Sequence, residues 1–329
     1  MITILPHKQR LGCGSGKPIA GAIGKQAPLR WIALGLMIFL LSGCIRVPEQ
    51  AWTISHRSAM ETRQPSDDCS ATCLGQSELD RMADGRMTPL QTTRPQMVDA
   101  GGFSLVSWNT FKGRKQGWSA DFRKLSQNAD ILILQEAYLS KTLKAMLDRN
   151  AYHWDMSTAF EYRYIETGVL TASRIAPSFT CAFREREPIS RIPKSVLISR
   201  YPMTGTAREL LVANIHAINF STHNSAFQRQ ADRLESILEI HPGPMIVAGD
   251  FNTWNTNRMS RVNAMAKRLG LNTVQFDEDR RSRIFGQSVD HVYYRGLEAT
   301  HATTPIVSSS DHNPLMVVFK LAHEPHPRT

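Results

Sequence analysis

The sequence predicts an α/β domain over residues 100–322, with a β core and helices packed against it. Short apolar runs of strand length recur from Phe103 onward, helical patterns lie between them, and selected polar residues recur where the runs end. Phe103-Ser-Leu-Val-Ser-Trp-Asn109 alternates as a half-buried strand does, and 130–135 (DILILQ) is a continuous apolar run of a buried strand. Further strands are expected at 167–173, 194–199, 209–216, 244–249, 288–294 and 314–320. Phe227, Ala231, Leu234 and Leu238 recur at helical spacing, and 257–270 reads as a second helix. Interleaved strands and helices suit a two-sheet core, and periodicity alone equally allows a doubly wound single sheet.

Ahead of this domain the texture is different. Trp31 to Leu41 (WIALGLMIFLL) is an apolar run behind Lys25 and Arg30. A bilayer span needs roughly 20 apolar residues, so the run is short for a permanent helix. A basic flank, an apolar centre and small residues at the end describe a signal peptide over 1–43. The end, Leu41-Ser42-Gly43-Cys44, resembles a bacterial lipobox, in which the cysteine is acylated and cleavage falls just before it. More than one acyl chain gives stable anchoring. The expectation is an exported lipoprotein, anchored through Cys44 and facing the periplasm or the exterior. Residues 44–99 carry scattered prolines among Ser, Thr, Gln and Arg with no sustained period, which reads as a flexible tether. Residues 323–329 read as a tail.

The five cysteines show no Cys-x-x-Cys pair, which argues against a structural zinc site. Cys69 and Cys73 are close enough in sequence to bridge, or to stay as two thiols. A net charge of +10 favours a polyanionic partner: nucleic acid, anionic lipid or a phosphorylated small molecule.

Polar residues terminate the apolar runs. Asn109 closes the first strand and Glu136 the second, and His216 ends a third. Asp250 and Asn252 follow a fourth, Asp290 begins a strand, and Asp311 and His312 precede the last. A carboxylate at a strand end is by itself an ordinary solvated residue. Six such sites would aim several side chains at one rim of the β scaffold.

The ordered set SWNT, LILQEAY, NIHAIN, GDFNTW, SVDHVYY and SSDHNPL resembles the endonuclease/exonuclease/phosphatase superfamily. FREREPI, NIHAINFS and FGQSVDHVYYRGL are similar to its bacterial YafD-like subgroup. The resemblance implies a deoxyribonuclease I-like fold: a two-sheet sandwich flanked by helices, in four layers. It also implies a divalent cation, Mg²⁺ or Mn²⁺ in its place, with Glu136 as main ligand and Asn109 and Asp311 beside it. A hard cation of this kind prefers one or two carboxylates plus waters. By the same resemblance Asp250 orients or deprotonates the attacking water, and Asn252 donates to a non-bridging oxygen. His312 pairs with Asp290 and serves as base or as cationic phosphate clamp. His216 contacts phosphate or assists the leaving group, a histidine that abasic-site endonucleases usually lack. His291, next to Asp290, should point to the other side of its strand and be structural.

Within 100–322 the count is 27 Lys and Arg against 20 Asp and Glu, a net of +7. Arg280, Arg281 and Arg283 precede Asp290, and Lys112, Arg114 and Lys115 follow Asn109, so either cluster could track a phosphate backbone. The 297–310 stretch (LEATHATTPIVSSS) reads as a loop without an aromatic wedge for membrane entry. The leading reading is a monomeric exported nuclease acting on DNA or RNA. A phospholipid or small phosphoester hydrolase at the membrane is the second, and a non-catalytic surface binding protein is a third that the intact residue set disfavours.

Overall fold

Met245 and Val247 pack into one apolar cluster while Ile246 and Ala248 pack into another, so their strand is buried on both faces. The neighbouring strand repeats this, with Leu211 and Ala213 on one side and Leu210 and Val212 on the other. Phe103, Leu105, Ile131 and Ile133 enter the cluster that holds Ile246, and Val106, Trp108, Leu132 and Leu134 enter a third. Successive side chains on a strand point to opposite faces. Two sheets therefore share an inner core, and each has a second apolar face for helices to cover. Fully burying one such Val, Leu or Ile stabilises by about 1.5–3 kcal/mol.

The computed structural model of the chain describes residues 45–57, 60–66, 69–70, 97–221 and 224–322. Its strands begin with β1 (Ile45–Arg46), β2 (Trp52–Arg57), β3 (Met60–Pro65), β4 (Phe103–Asn109), β5 (Ile131–Tyr138) and β6 (His153–Tyr162). They continue with β7 (Ile165–Ser173), β8 (Phe179–Arg186), β9 (Pro193–Pro202), β10 (Glu209–His216), β11 (Met245–Asp250) and β12 (Asn272–Thr273). β13 (Arg283–Ile284), β14 (Gln287–Ser288), β15 (Asp290–Arg295), β16 (Leu297–Thr303) and β17 (Leu315–Leu321) complete the set. One sheet runs β16-β17-β4-β5-β7-β6-β2-β3 with β1 also on β6, and the other runs β12-β15-β11-β10-β9-β8. The β4–β5 and β10–β11 pairs are parallel, which aligns the ends of strands that carry the site.

Helices α1 (Trp118–Ser126) and α2 (Lys141–Arg149) cover the first sheet through Trp118, Phe122, Leu143 and Leu147. Helices α3 (Ser225–Leu238) and α4 (Thr256–Arg268) cover the second through Phe227, Leu234, Val262 and Met265. The Ser140 hydroxyl and the Asn255 amide oxygen cap α2 and α4, accepting from the N–H groups of Leu143 at 3.2 Å and Arg258 at 3.0 Å. The architecture is the four-layer helix–sheet–sheet–helix sandwich, not a single doubly wound sheet.

Several expectations need correction. Residues 45–66 are not a free tether: β2 pairs with β6, and Ile54 is fully buried in the cluster under α1 and α2. Arg57 and Ser55 bond the buried Asp155 at 2.6 and 2.5 Å, which fixes the hairpin to the sheet. Cys69 is bonded to Cys181 on β8, not to Cys73, and both cysteines are buried among apolar side chains. The stretch after Gly296 is a strand, β16, and only its continuation from Thr304 is a loop. The signal peptide, Cys44, residues 71–96 with Cys73, and the tail lie outside the described residues. Among the described residues no helix is long and apolar enough to cross a membrane.

Candidate active site

Strand register places three of the expected residues in one row. His216 is the pairing partner of Asp250 across β10–β11, and Asp250 is the partner of Asp290 across β11–β15. Gly249, just before Asp250, has φ +141°, and a Cβ there would lie 2.1 Å from the Ile215 carbonyl oxygen, so only glycine lets β10 approach so closely. Beyond β11 the chain turns through Asn252, itself at φ +49°, a conformation unusual for a non-glycine residue and common at functional sites. The Asn252 N–H donates to Asp250 Oδ1 at 3.0 Å, and its amide donates to the Ala217 carbonyl at 2.9 Å.

The other sheet supplies Asn109 and Glu136. Gln135 and Glu136 of β5 together oppose Val169 of β7, because the pairing steps from Leu134–Leu170 to Ala137–Gly168. Such a bulge turns a side chain out of the regular alternation, and Glu136 takes φ +50° there. Gly168 serves the same region: a Cβ on it would sit 1.9 Å from the Ser157 carbonyl oxygen. Asn109 crosses between the sheets, its Nδ2 donating to Asp250 Oδ2 at 3.0 Å. Beneath it Gln135 donates to Asn214 at 2.8 Å, and Asn214 donates back to the Leu170 carbonyl at 3.0 Å. The rim of the sandwich is thus cross-linked by buried polar contacts.

His312 reaches this row from the loop before β17. The Trp108 indole N–H donates to the His312 carbonyl at 2.9 Å, and the Ser310 hydroxyl donates to the Asn109 carbonyl at 2.7 Å. The His312 ring Nδ1 lies 2.7 Å from Asp290 Oδ2, and its Nε2 lies 4.0 Å from Asp250 Oδ2. The expected pairing of Asp290 with His312 is present in the geometry.

Charge is divided unevenly over the cluster. Burial would strip the proton from His312, but Asp290, with Asp250 and Asp311 behind it, raises its pKa to about 10. Burial raises Asp250 to about 6, with Asp290 adding to the rise and His312 opposing it. Burial and then the Lys194 ammonium push His216 well below its ordinary range, so its ring is neutral. Lys194 Nζ stands 2.9 Å from His216 Nε2 and donates to it. Burial would raise Glu136, yet Lys112 first and then Lys194 hold it at about 2.

The set expected to hold a cation is only partly assembled. Glu136 already carries a cation on Oε2, the Lys112 ammonium, so an ionised carboxylate suited to a positive charge is in place. Asn109 spends its amide nitrogen on Asp250, and its oxygen accepts from the Phe111 N–H at 3.1 Å. Asp311 is exposed, and among the described residues its carboxylate meets the Ser310 hydroxyl at 3.4 Å. The group whose ligand atoms do converge, within 4.8 Å, is Asp250, Asp290 and His312. With the proton held on His312 that group reads as a hydrogen-bonded acid–base cluster. Glu136, an ionised carboxylate already facing a cation, is the residue whose chemistry fits a hard divalent ion.

Lys194 and Arg258 were not singled out in the sequence. Lys194 is the second residue of β9, and a lysine within an otherwise buried strand is the signal that marks it. Arg258 is fully buried on α4; it donates to the carbonyls of Ile218 at 2.6 Å, Asn219 at 2.7 Å and Asn252 at 3.0 Å. It therefore holds the turns after β10 and β11 together. His291 is structural as expected, its Nε2 at 2.7 Å from the Thr253 hydroxyl. The Arg280, Arg281 and Arg283 cluster is paired with surface carboxylates: Glu278 with Arg280, and Asp279 with both others at 2.8 Å.

The Endonuclease/Exonuclease/phosphatase family model matches residues 106–312, more than half of the chain. A UPF0294 protein of Vibrio vulnificus (strain YJ016) is 38% identical over 231 residues, 70% of this chain and 81% of that protein. A UPF0294 protein of Yersinia enterocolitica is 38% identical over 216 residues, 66% of this chain and 83% of that protein. Among solved structures, an endonuclease/exonuclease/phosphatase from Beutenbergia cavernae aligns with a TM-score of 0.53 at 14% identity, over 69% of this chain and 73% of that one. The human Nocturnin catalytic domain aligns with a TM-score of 0.51 at 18% identity, over 70% of this chain and all (100%) of that one. These two share the fold. The chain belongs to the endonuclease/exonuclease/phosphatase family and is a phosphoesterase of the divalent-metal-dependent kind.

Proposed function

We propose that the protein hydrolyses phosphodiester bonds of DNA or RNA outside the cytoplasm, as a monomer, with Mg²⁺ or Mn²⁺ held at Glu136. The observation that carries the reading is the charge pattern at one rim: a protonated His312 on Asp290, with Asp250 within 4.0 Å of the same ring. When bound, the divalent ion would neutralise phosphoryl charge and ease departure of a poor leaving group. Asp250, with its pKa near 6, is ionised at neutral pH and can orient or accept a proton from the attacking water. Asn252 keeps one amide hydrogen beyond the one given to Ala217, free for a non-bridging oxygen. His312 acts as a cationic clamp that gives phosphate a hydrogen bond, because its proton is held tightly. Neutral His216, with the Lys194 ammonium against it, offers a second positive edge to phosphate.

Export and lipidation at Cys44 belong to the same proposal. The LSGC motif supports them, as does the Cys69–Cys181 bridge, since disulfides persist chiefly in oxidising compartments. The lipobox also favours a second reading, hydrolysis of a phospholipid or small phosphoester beside the membrane. The purified protein, assayed with Mg²⁺ against plasmid, single-stranded RNA, sphingomyelin and lysophospholipid, separates the two. Cleavage of nucleic acid is expected; turnover of lipid alone would replace the first reading with the second. Mass spectrometry of the mature amino terminus tests the anchor, and an unlipidated Cys44 would remove it.

A further inference from the structure

Beside Glu136 lies a cavity of about 340 Å³ whose walls include Lys112, Arg114, Tyr138, Ser140, Tyr162 and Arg163. Lys112 lines the cavity while its ammonium rests on Glu136, and Tyr138, which also lines it, lies two positions past Glu136 on β5. Among the described residues no carboxylate and no aliphatic side chain lines it.

Its cations differ from the arginines before Asp290. Among the described residues no carboxylate pairs with Arg114, Lys115 or Arg163. They rest on aromatic faces instead. The Arg114 guanidinium is 5.9 Å from the rings of Phe111 and Tyr162, Arg163 is 5.5 Å from Tyr162, and Lys115 is 5.5 Å from Phe111. Tyr138 and Tyr162 meet edge to face at 6.1 Å. Arg114 and Arg163 are exposed, so both can turn a donor fork toward an anion.

We propose that this cavity is a subsite for the nucleotide next to the scissile phosphate of a single strand. Its phosphate would sit on Arg114 and Arg163 and its base against the Tyr138–Tyr162 pair. Unstacked bases bind such aromatic platforms, and cations alongside track the backbone. A base inside a duplex has both faces covered and offers nothing to the tyrosines. An acyl chain would find no aliphatic wall, and a cationic headgroup would meet three cations. The inference rests on the nucleic-acid reading and narrows it to single strands.

The test is fluorescence anisotropy of a short labelled single-stranded oligonucleotide with the whole protein in excess chelator, alongside cleavage assays in Mg²⁺. Arg163→Ala, Arg114→Ala and Tyr162→Ala should each weaken binding about tenfold, the arginine variants should lower the salt dependence, and duplex should bind less well than single strand. Arg163→Ala alters an exposed side chain with no carboxylate partner, so it keeps the test independent of folding. If the wild type binds and cleaves single strands while all three variants bind equally well, the subsite is overturned and the nuclease reading stands. If the wild type neither binds nor cleaves nucleic acid but hydrolyses phospholipid vesicles, the nuclease reading fails and the subsite with it.

Discussion

His312 Nδ1 lies 2.7 Å from Asp290 Oδ2, although 22 positions separate the two residues. A histidine whose proton is held by a carboxylate titrates above its ordinary value. Because the folded pKa, about 10, exceeds the unfolded 6.5, the pair contributes stability that is fully present below pH 6.5 and is lost as pH rises through about 10. In chelated protein, thermal unfolding should therefore fall over that window, and Asp290→Asn should abolish the fall. Asp290→Asn and His312→Ala should each lower turnover about a hundredfold, and their double-mutant cycle should be far from additive. Full additivity would show that the two do not act as a unit.

Lys194 suppresses His216 through space and contributes a cation of its own. Lys194→Met should raise the His216 titration midpoint while burial keeps it under 6.5, as followed by NMR of the ring in metal-free protein. KM for a phosphodiester should rise more than kcat falls. An unmoved His216 titration would mean that Lys194 does not face it in solution.

Much of this site was legible in the sequence, because its chemistry is concentrated in residues that end apolar runs. Asn109, Glu136, Asp250, Asp290 and His312 could be named from that pattern and from the family resemblance. Register could not: nothing in the sequence tells that His216, Asp250 and Asp290 pair across three strands in one row. The bulge at Glu136 and its φ of +50° are likewise products of tertiary pairing. The hairpin of β2 and β3 escaped because it supplies little to the core, Ile54 being its one fully buried apolar side chain while β3 is exposed throughout. β16 was passed over because its exposed polar residues, Glu298 and His301 among them, break the apolar run. Cys181 lies 112 positions from Cys69, so proximity in sequence pointed to the wrong partner.

Arg258 is buried with its guanidinium shared among the carbonyls of Ile218, Asn219 and Asn252. Arg258→Ala would leave those acceptors unpaired, and each buried acceptor left so costs about 1–3 kcal/mol. Urea unfolding should show a loss of about 3 kcal/mol or more, and turnover should fall because Asn252 loses its support. A loss within about 0.5 kcal/mol would place Arg258 among ordinary surface residues.

The Cys69–Cys181 bridge closes a loop spanning 112 positions and anchors the amino-terminal segment to β8. Cys181→Ala should lower stability by about 2–4 kcal/mol. Peptide mapping without reductant should recover Cys69 linked to Cys181. Recovery of a Cys69–Cys73 peptide would contradict this pairing.

Glu136 is proposed to hold the divalent ion on which phosphodiester hydrolysis depends. The experiment is calorimetric titration of Mn²⁺ into wild type and Glu136→Gln, with bis(p-nitrophenyl) phosphate hydrolysis followed on the same samples. The wild type should bind the ion and hydrolyse the diester, excess chelator should stop it, and Glu136→Gln should lose both binding and turnover. Undiminished turnover in chelator, or a Glu136→Gln variant that binds Mn²⁺ as tightly as wild type, would show that Glu136 does not hold the ion.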